Sequence, residues 1–158
     1  MKGAIIFGSE SDKAVMRKAA EVFRDLGVDC AARIVSAHRT PELLDETVKR
    51  LEAEGVEVII AGAGLAAHLP GVIASRTLIP VIGVPISSGA LGGLDALLSM
   101  VQMPRPVPVA TVGLDNAANA AWLACEILAL KYGDLRERLA ARREEMRAAF
   151  ALGAEVEW

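Results

Sequence analysis

Short apolar runs alternate with longer amphipathic segments along this chain of 158 residues. Apolar runs bounded by glycine or proline are typical of buried strands, and apolar residues three or four positions apart indicate helices. The predicted strands are 4–7, 28–35, 56–61, 81–84 and 107–112. The predicted helices are 12–26, 41–54, a short helix within 63–75, 91–101 and 116–130. The alternation predicts an α/β fold: a three-layer α/β/α sandwich with a parallel, flavodoxin-like sheet.

An additional C-terminal helix is predicted over about 134–150, where Arg and Glu dominate. Its apolar stripe is thin and consists of Leu135, Leu139, Met146 and Phe150. We expect a surface helix that packs by this stripe, in subunit contacts. Because no linker or repeat interrupts the chain, a single domain over 1–158 is predicted.

Composition narrows the class of protein. Apolar residues make up 53% of the chain and aromatic residues only 4%, and this excess of small aliphatic residues favours burial between subunits. The net charge of −3 without a basic stripe argues against nucleic acid. No apolar run reaches the ~18 residues of a membrane helix. Cys30 and Cys125 are predicted to be buried free thiols, which suits a cytoplasmic protein.

Polar or glycine-rich segments follow three predicted strands, and parallel strands open their carboxyl ends at one edge, where ligands bind. The first segment is Gly8-Ser9-Glu10-Ser11-Asp12. Its hydroxyls and helix amides could hold phosphate, and Asp12 could accept from sugar hydroxyls. The alternative is an ordinary helix cap, in which Ser11 or Asp12 only satisfies the free amides at the helix start.

The second segment contains His38, within Ser36-Ala37-His38-Arg39-Thr40-Pro41. Pro41 and the acidic residues after it predict the start of a helix. A histidine at a strand end can move protons near neutral pH, and Ser36, Arg39 and Thr40 could hold an anion.

The third segment, 61–71, contains Gly64 and the second histidine, His68. Its small residues allow a flat ligand to approach the backbone, although a tight turn would use them equally well. The two histidines have no Cys or carboxylate cluster beside them, so no metal site is predicted. Rossmann, Walker A and G-x-S-x-G signatures are absent from the sequence.

Together the three segments resemble the motifs of the N5-carboxyaminoimidazole ribonucleotide mutase family of purine biosynthesis, the class I PurE proteins. Those motifs are GSxSD, SAHRTP, AGAGGAAHLPG and QMP. This chain matches them in order over almost its whole length: residues 8–12, 36–41 and 61–71 are followed by Gln102-Met103-Pro104. The chain departs at Leu65, where the family has glycine. If the backbone there needs a positive φ, leucine costs energy.

The resemblance implies an isomerase that moves CO2 from the exocyclic nitrogen of the ribonucleotide to ring carbon C4, without metal, biotin, ATP or other cofactor. His38 would be the acid and base. The residues implied to bind the ribonucleotide are Ser9, Ser11, Asp12, Ser36, Arg39, Gly64, Ala66, His68 and Leu69. The 87–89 loop would help close the site, and a homo-octamer with sites near subunit contacts is implied.

Three alternatives stay open from the sequence. A direct carboxylase would use aminoimidazole ribonucleotide and CO2, and a related domain would carboxylate another aromatic mononucleotide. A non-catalytic nucleotide-binding protein would bind without turnover, with Leu65 closing the pocket.

Overall fold

The computed structural model describes residues 1–151 and residue 153. Its five parallel strands form one sheet with the order β2-β1-β3-β4-β5. The strands are β1 (Lys2–Phe7), β2 (Asp29–Ile34), β3 (Val58–Gly64), β4 (Val81–Ile86) and β5 (Ala110–Thr111). The helices are α1 (Lys13–Asp25), α2 (Pro41–Ala53), α3 (Leu69–Ala74), α4 (Leu94–Val101), α5 (Ala117–Leu128) and α6 (Gly133–Ala151). This strand order is that of flavodoxin-like sheets, so the predicted fold is confirmed. A single domain over 1–158 stays a prediction, and residues 152 and 154–158 lie outside the described residues.

Two hydrophobic cores lie on opposite faces of the sheet, because successive side chains of a strand point to opposite sides. Ile5 and Ile60 face the core that α1, α5 and α6 cover. Ile6 and Ile59, their neighbours in sequence, face the core under α2, α3 and α4. Fully buried Ala117, Ala120, Ala121 and Ala124 line one side of α5. The helices therefore cover the two faces and leave the edge at the carboxyl ends of the strands for the loops.

Helix α2 begins where the sequence predicts. Thr40 is its N-cap residue, and Pro41 opens the first turn, where a missing backbone N–H costs no helical hydrogen bond. The apolar face predicted from its spacing is buried and comprises Leu44, Thr47, Val48 and Leu51. Burial of this face fixes the start of α2, and therefore the turn that carries His38.

All five strands differ at their ends from the prediction: β1 begins two residues earlier, β2 is one residue shorter at each end, β4 continues through Pro85 to Ile86, and β3 and β5 differ most. Strand β3 continues to Gly64 instead of ending at Ala61, since Ala61 to Gly64 pair with β4. Strand β5 contains only Ala110–Thr111 instead of 107–112. Pro108 has no N–H for the ladder, and the N–H of Val107 donates to Pro104 in a turn. The glycine-rich segment is thus partly strand, which carries the strand end further toward the site.

The predicted stripe of α6 is packed within this chain only in its first half. Leu135 and Leu139 are buried, whereas Met146 and Phe150 are 54% and 81% exposed.

Cys125 is buried as predicted, and burial raises the pKa of its thiol to about 12. The prediction for Cys30 was wrong: it is exposed, because β2 is an edge strand with little covering it. Among the described residues, no helix is both long enough and apolar enough to cross a membrane.

Candidate active site

A cavity of about 530 Å³ lies at the carboxyl edge of the sheet, between the loops that follow β1, β2, β3 and β4. All ten residues predicted for the site line it: Ser9, Ser11, Asp12, Ser36, His38, Arg39, Gly64, Ala66, His68 and Leu69. The strand order explains this meeting, because β1 is flanked by β2 and β3. Whether these residues bind or react with a substrate stays a prediction.

The two histidines are in direct contact. Nε2 of His38 lies 2.8 Å from Nδ1 of His68, and the rings are nearly perpendicular at 82°. His38 comes from the turn before α2, and His68 precedes α3 as its N-cap residue. In this contact one ring donates an N–H and the other accepts it. The pair can hold the His38 ring in one orientation and pass a proton between the rings. No sequence pattern predicts this contact, since the two residues are 30 positions apart.

Arg39 is oriented by hydrogen bonds at the base of the cavity. Its Nη2 donates to the carbonyl of Gly8 at 3.2 Å, and its Nε donates to Oγ of Ser36 at 3.3 Å. Thr40 fixes the same turn, since its hydroxyl donates to the Ser36 carbonyl at 3.1 Å. Other donors of the guanidinium stay available, and no ion pair of Arg39 is found within the described part of the chain. A planar guanidinium held in this way suits a phosphate.

The loop after β1 combines a helix cap with a polar wall. Ser9 is the cap, because its hydroxyl accepts from the N–H of Ser11. The side chain of Asp12 makes no capping hydrogen bond, so the alternative that Asp12 serves as an ordinary cap is not realised. Oγ of Ser11 lies 2.9 Å from Oγ of Ser9 and 3.2 Å from Oδ1 of Asp12. Burial raises the pKa of Asp12, against the lowering effect of hydrogen bonds from Ser11 and from the Ser9 backbone.

The segment after β3 contains the departure at Leu65. The backbone φ of Leu65 is 54°, in the left-handed region that suits glycine, so the position does need a positive φ. The leucine side chain is 53% exposed and lines the cavity. It also contacts the loop after β4, because a Cβ on Gly89 would lie 2.5 Å from Cδ2 of Leu65. Leucine therefore narrows the cavity from one side and leaves it open.

Five further residues line the cavity that were not among the predicted binding residues: Gly8, Ala37, Ala63, Leu65 and Ser88. Three of them are small residues inside the predicted motifs, which could have been included by their position alone. Ser88 comes from the loop after β4 and shows that the 87–89 segment reaches the site, as expected. In the described part of the chain, no group of three or more His, Cys, Asp or Glu side chains could hold a metal ion.

Comparison with known proteins agrees with this geometry. The sequence profile of the family described as AIR carboxylase matches residues 2–149. The N5-carboxyaminoimidazole ribonucleotide mutase of Pyrococcus abyssi is 60% identical over 146 residues, which cover 92% of this chain and 84% of that protein. The protein of the same name from Escherichia coli K12 is 54% identical over 138 residues, covering 86% of this chain and 82% of that protein.

A solved structure supports the same assignment. The crystal structure of Treponema denticola PurE superimposes with a TM-score of 0.88 at 28% identity. The match covers 95% of this chain and 94% of that one. The chain therefore belongs to the AIR carboxylase family, and the resemblance that its four sequence motifs show to the N5-carboxyaminoimidazole ribonucleotide mutases is confirmed.

Proposed function

We propose that the protein is an N5-carboxyaminoimidazole ribonucleotide mutase, an isomerase of purine biosynthesis. The observation that carries the proposal is the cavity that joins the His38–His68 pair to the oriented guanidinium of Arg39. The first group can move protons, and the second can hold the phosphate of a ribonucleotide. The curated relatives with this name are more than half identical to the chain over most of its length.

In the proposed reaction, His38 first acts as an acid. It gives a proton to the carbamate nitrogen, the bond from that nitrogen to the carboxyl carbon breaks, and CO2 and aminoimidazole ribonucleotide result. Ring carbon C4 then attacks the carbon of CO2. His38, now neutral, removes the proton from C4 and restores the aromatic ring. His38 donates one proton in the first step and accepts one in the last, so no net acid or base is consumed.

The remaining residues orient the reactants. His68 holds the His38 ring through the 2.8 Å contact. Arg39, Ser36 and Ser11 face the phosphate, and Ser9 and Asp12 face the ribose. The cavity wall beside the base is formed by residues without polar side chains, Gly64, Ala66 and Leu69. The base lies close to this wall, which keeps the released CO2 beside C4. The proposal needs no cofactor.

A mutase assay tests the function. N5-carboxyaminoimidazole ribonucleotide is supplied in degassed buffer without bicarbonate, and the C4-carboxylated product is followed by absorbance. We expect catalytic product formation. Product that forms only from aminoimidazole ribonucleotide with added bicarbonate would favour a direct carboxylase, and nucleotide binding without any product would favour a non-catalytic protein.

The assembly is proposed as a homo-octamer. Supporting it, α4 exposes Leu94, Leu98 and Val101, which lie on one side of the helix at spacings of four and three residues. An exposed apolar stripe of this kind is typical of subunit contacts. Sedimentation equilibrium at micromolar concentration should give eight times the mass of one chain, and a clean monomer would overturn the proposal.

A cytoplasmic location is part of the same proposal. Both cysteines are free thiols, which suits a reducing compartment. Cell fractionation with an antibody against the protein tests it, and recovery outside the cytoplasmic fraction would contradict it.

A further inference from the structure

Ser88 carries a hydroxyl that the fold leaves without a partner. Its Oγ is buried and makes no hydrogen bond among the described residues. A buried hydroxyl without a partner destabilises the folded chain, and an alanine would remove that unpaired polar group. The residue nevertheless lines the same cavity as Gly64 and His68.

The position of this hydroxyl is built into the strand ends. A Cβ on Gly64 would lie 2.5 Å from Oγ of Ser88, so the absence of a side chain at Gly64 makes room for the hydroxyl. Ser88 follows β4 and Gly64 ends β3, and these strands are paired in register up to Gly64 and Ile86. The hydroxyl therefore lies over the carboxyl end of the sheet.

The loop that carries Ser88 is anchored through Ser87, the residue before it. The N–H of Ser87 donates to Oδ1 of Asp115 at 2.9 Å, and the Ser87 hydroxyl donates to the carbonyl of Gly92 at 3.1 Å. Asp115 holds this position with a φ of 56°, a conformation that costs energy outside glycine. Serine has one side-chain torsion, so a rotation between staggered positions is the only movement that turns its hydroxyl toward a ligand.

The strand order indicates which end of a nucleotide Ser88 meets. The guanidinium of Arg39 reaches Gly8, directly after β1, whereas Ser88 follows β4. Strand β3 lies between β1 and β4, so Ser88 reaches the cavity from the side opposite the loop that follows β1. A phosphate beside Arg39 would place the base, with its carboxyl group, on the side of Ser88.

We infer that the Ser88 hydroxyl donates a hydrogen bond to the carboxylate that is transferred. This inference rests on the proposed function and adds a residue to it. A hydrogen bond to a charged acceptor is stronger than one between neutral groups. The Ser88 hydroxyl, which has no partner among the described residues of the free protein, thus gains one only when the carboxylated nucleotide is bound.

The test is calorimetric binding to wild type and Ser88→Ala. The probes are 4-carboxy-5-aminoimidazole ribonucleotide and, in degassed buffer, aminoimidazole ribonucleotide, which lacks the carboxylate. Ser88→Ala should weaken binding of the carboxylated nucleotide roughly 10- to 100-fold, and binding of the other by no more than about twofold. The unliganded variant should also melt higher, by about 2 to 5 °C, because an unpaired buried hydroxyl is gone.

Ser87→Ala is the matched control, since it removes a hydroxyl of the same loop that does have a partner. It should change the affinity for both nucleotides by the same factor and should not raise the melting temperature. Equal binding of both nucleotides by Ser88→Ala and wild type, or a lowered melting temperature of Ser88→Ala, would overturn the role of Ser88 alone. A wild-type protein that binds neither nucleotide would overturn the proposed function, and the role of Ser88 with it.

Discussion

The two edges of the sheet differ in which residues adopt a positive backbone φ. At the amino edge, the left-handed positions that end α1 and α2 are glycines, Gly27 and Gly55, with φ of 66° and 77°. At the carboxyl edge, glycines of the loop after β4 also have positive φ, but Leu65 and Asp115 adopt it as non-glycine residues. Strain of this kind is tolerated where the surroundings hold it, often at functional sites. The edge with the cavity is therefore also the strained edge.

Polar groups follow the same division. At the amino edge Glu57 accepts hydrogen bonds from Lys131 at 2.7 Å and Tyr132 at 2.8 Å. At the carboxyl edge Asp12 is desolvated, and the Ser88 hydroxyl has no partner among the described residues. The amino edge is arranged for stability, whereas the carboxyl edge keeps groups available for a ligand.

The largest expected effect separates function from stability. His38→Asn should lower turnover roughly 10²- to 10⁴-fold, the contribution typical of general acid–base catalysis, while nucleotide binding persists. Tyr132→Phe, at the amino edge, should instead lower the free energy of unfolding by about 1 kcal/mol and keep turnover. Steady-state kinetics and urea unfolding of both variants check this. Near-normal turnover in His38→Asn would remove His38 from the mechanism.

A smaller effect measures the backbone strain itself. At position 65, Leu65→Gly should be more stable than Leu65→Ala by about 1 kcal/mol, because only glycine adopts the left-handed region without cost. Gly27→Ala should lower stability by a similar amount, since a Cβ there meets nothing within 4 Å and only the backbone is affected. Urea unfolding gives all three values. An alanine variant at 65 as stable as the glycine variant would show that Leu65 is unstrained.

The smallest effect is the pH dependence of two carboxylates. The hydrogen bond from Lys131 lowers the pKa of Glu57 from its usual 4.5. Its stabilisation is therefore present above about pH 4.5 and is lost as the pH falls through the lowered value. Burial raises the pKa of Asp12 from 3.8, so its contribution is complete below that pH and is lost as the pH rises through the raised value.

The two carboxylates should thus respond oppositely to neutralisation. At neutral pH, Glu57→Gln should lower the free energy of unfolding and Asp12→Asn should raise it. Both differences should vanish in acid, where wild type is protonated at these positions. Urea unfolding from about pH 7 down to acid tests both signs. A stabilising Glu57→Gln at neutral pH would contradict the division between the edges.

The sequence by itself determined the order of elements, the face of α2 that is buried, and the three loops that carry the site. These features depend on neighbours close along the chain: apolar spacing, Pro41 at a helix start, and glycine after α1 and α2. Parallel strands then bring their carboxyl ends to one edge whatever their order in the sheet. At that edge, the ten residues that the family resemblance implies for the site line one cavity, because the strand order places β1 between β2 and β3.

Only the tertiary structure decided which of those groups touch. The His38–His68 contact, the exposure of Cys30 and the unpaired hydroxyl of Ser88 depend on strand order and on what covers each strand. The short β5 depends on which backbone N–H groups the prolines and turns leave for pairing. A sequence pattern records the period of one element, whereas these features arise from contacts between elements distant in the chain. The physical reason is that packing selects among many arrangements that share the same local pattern.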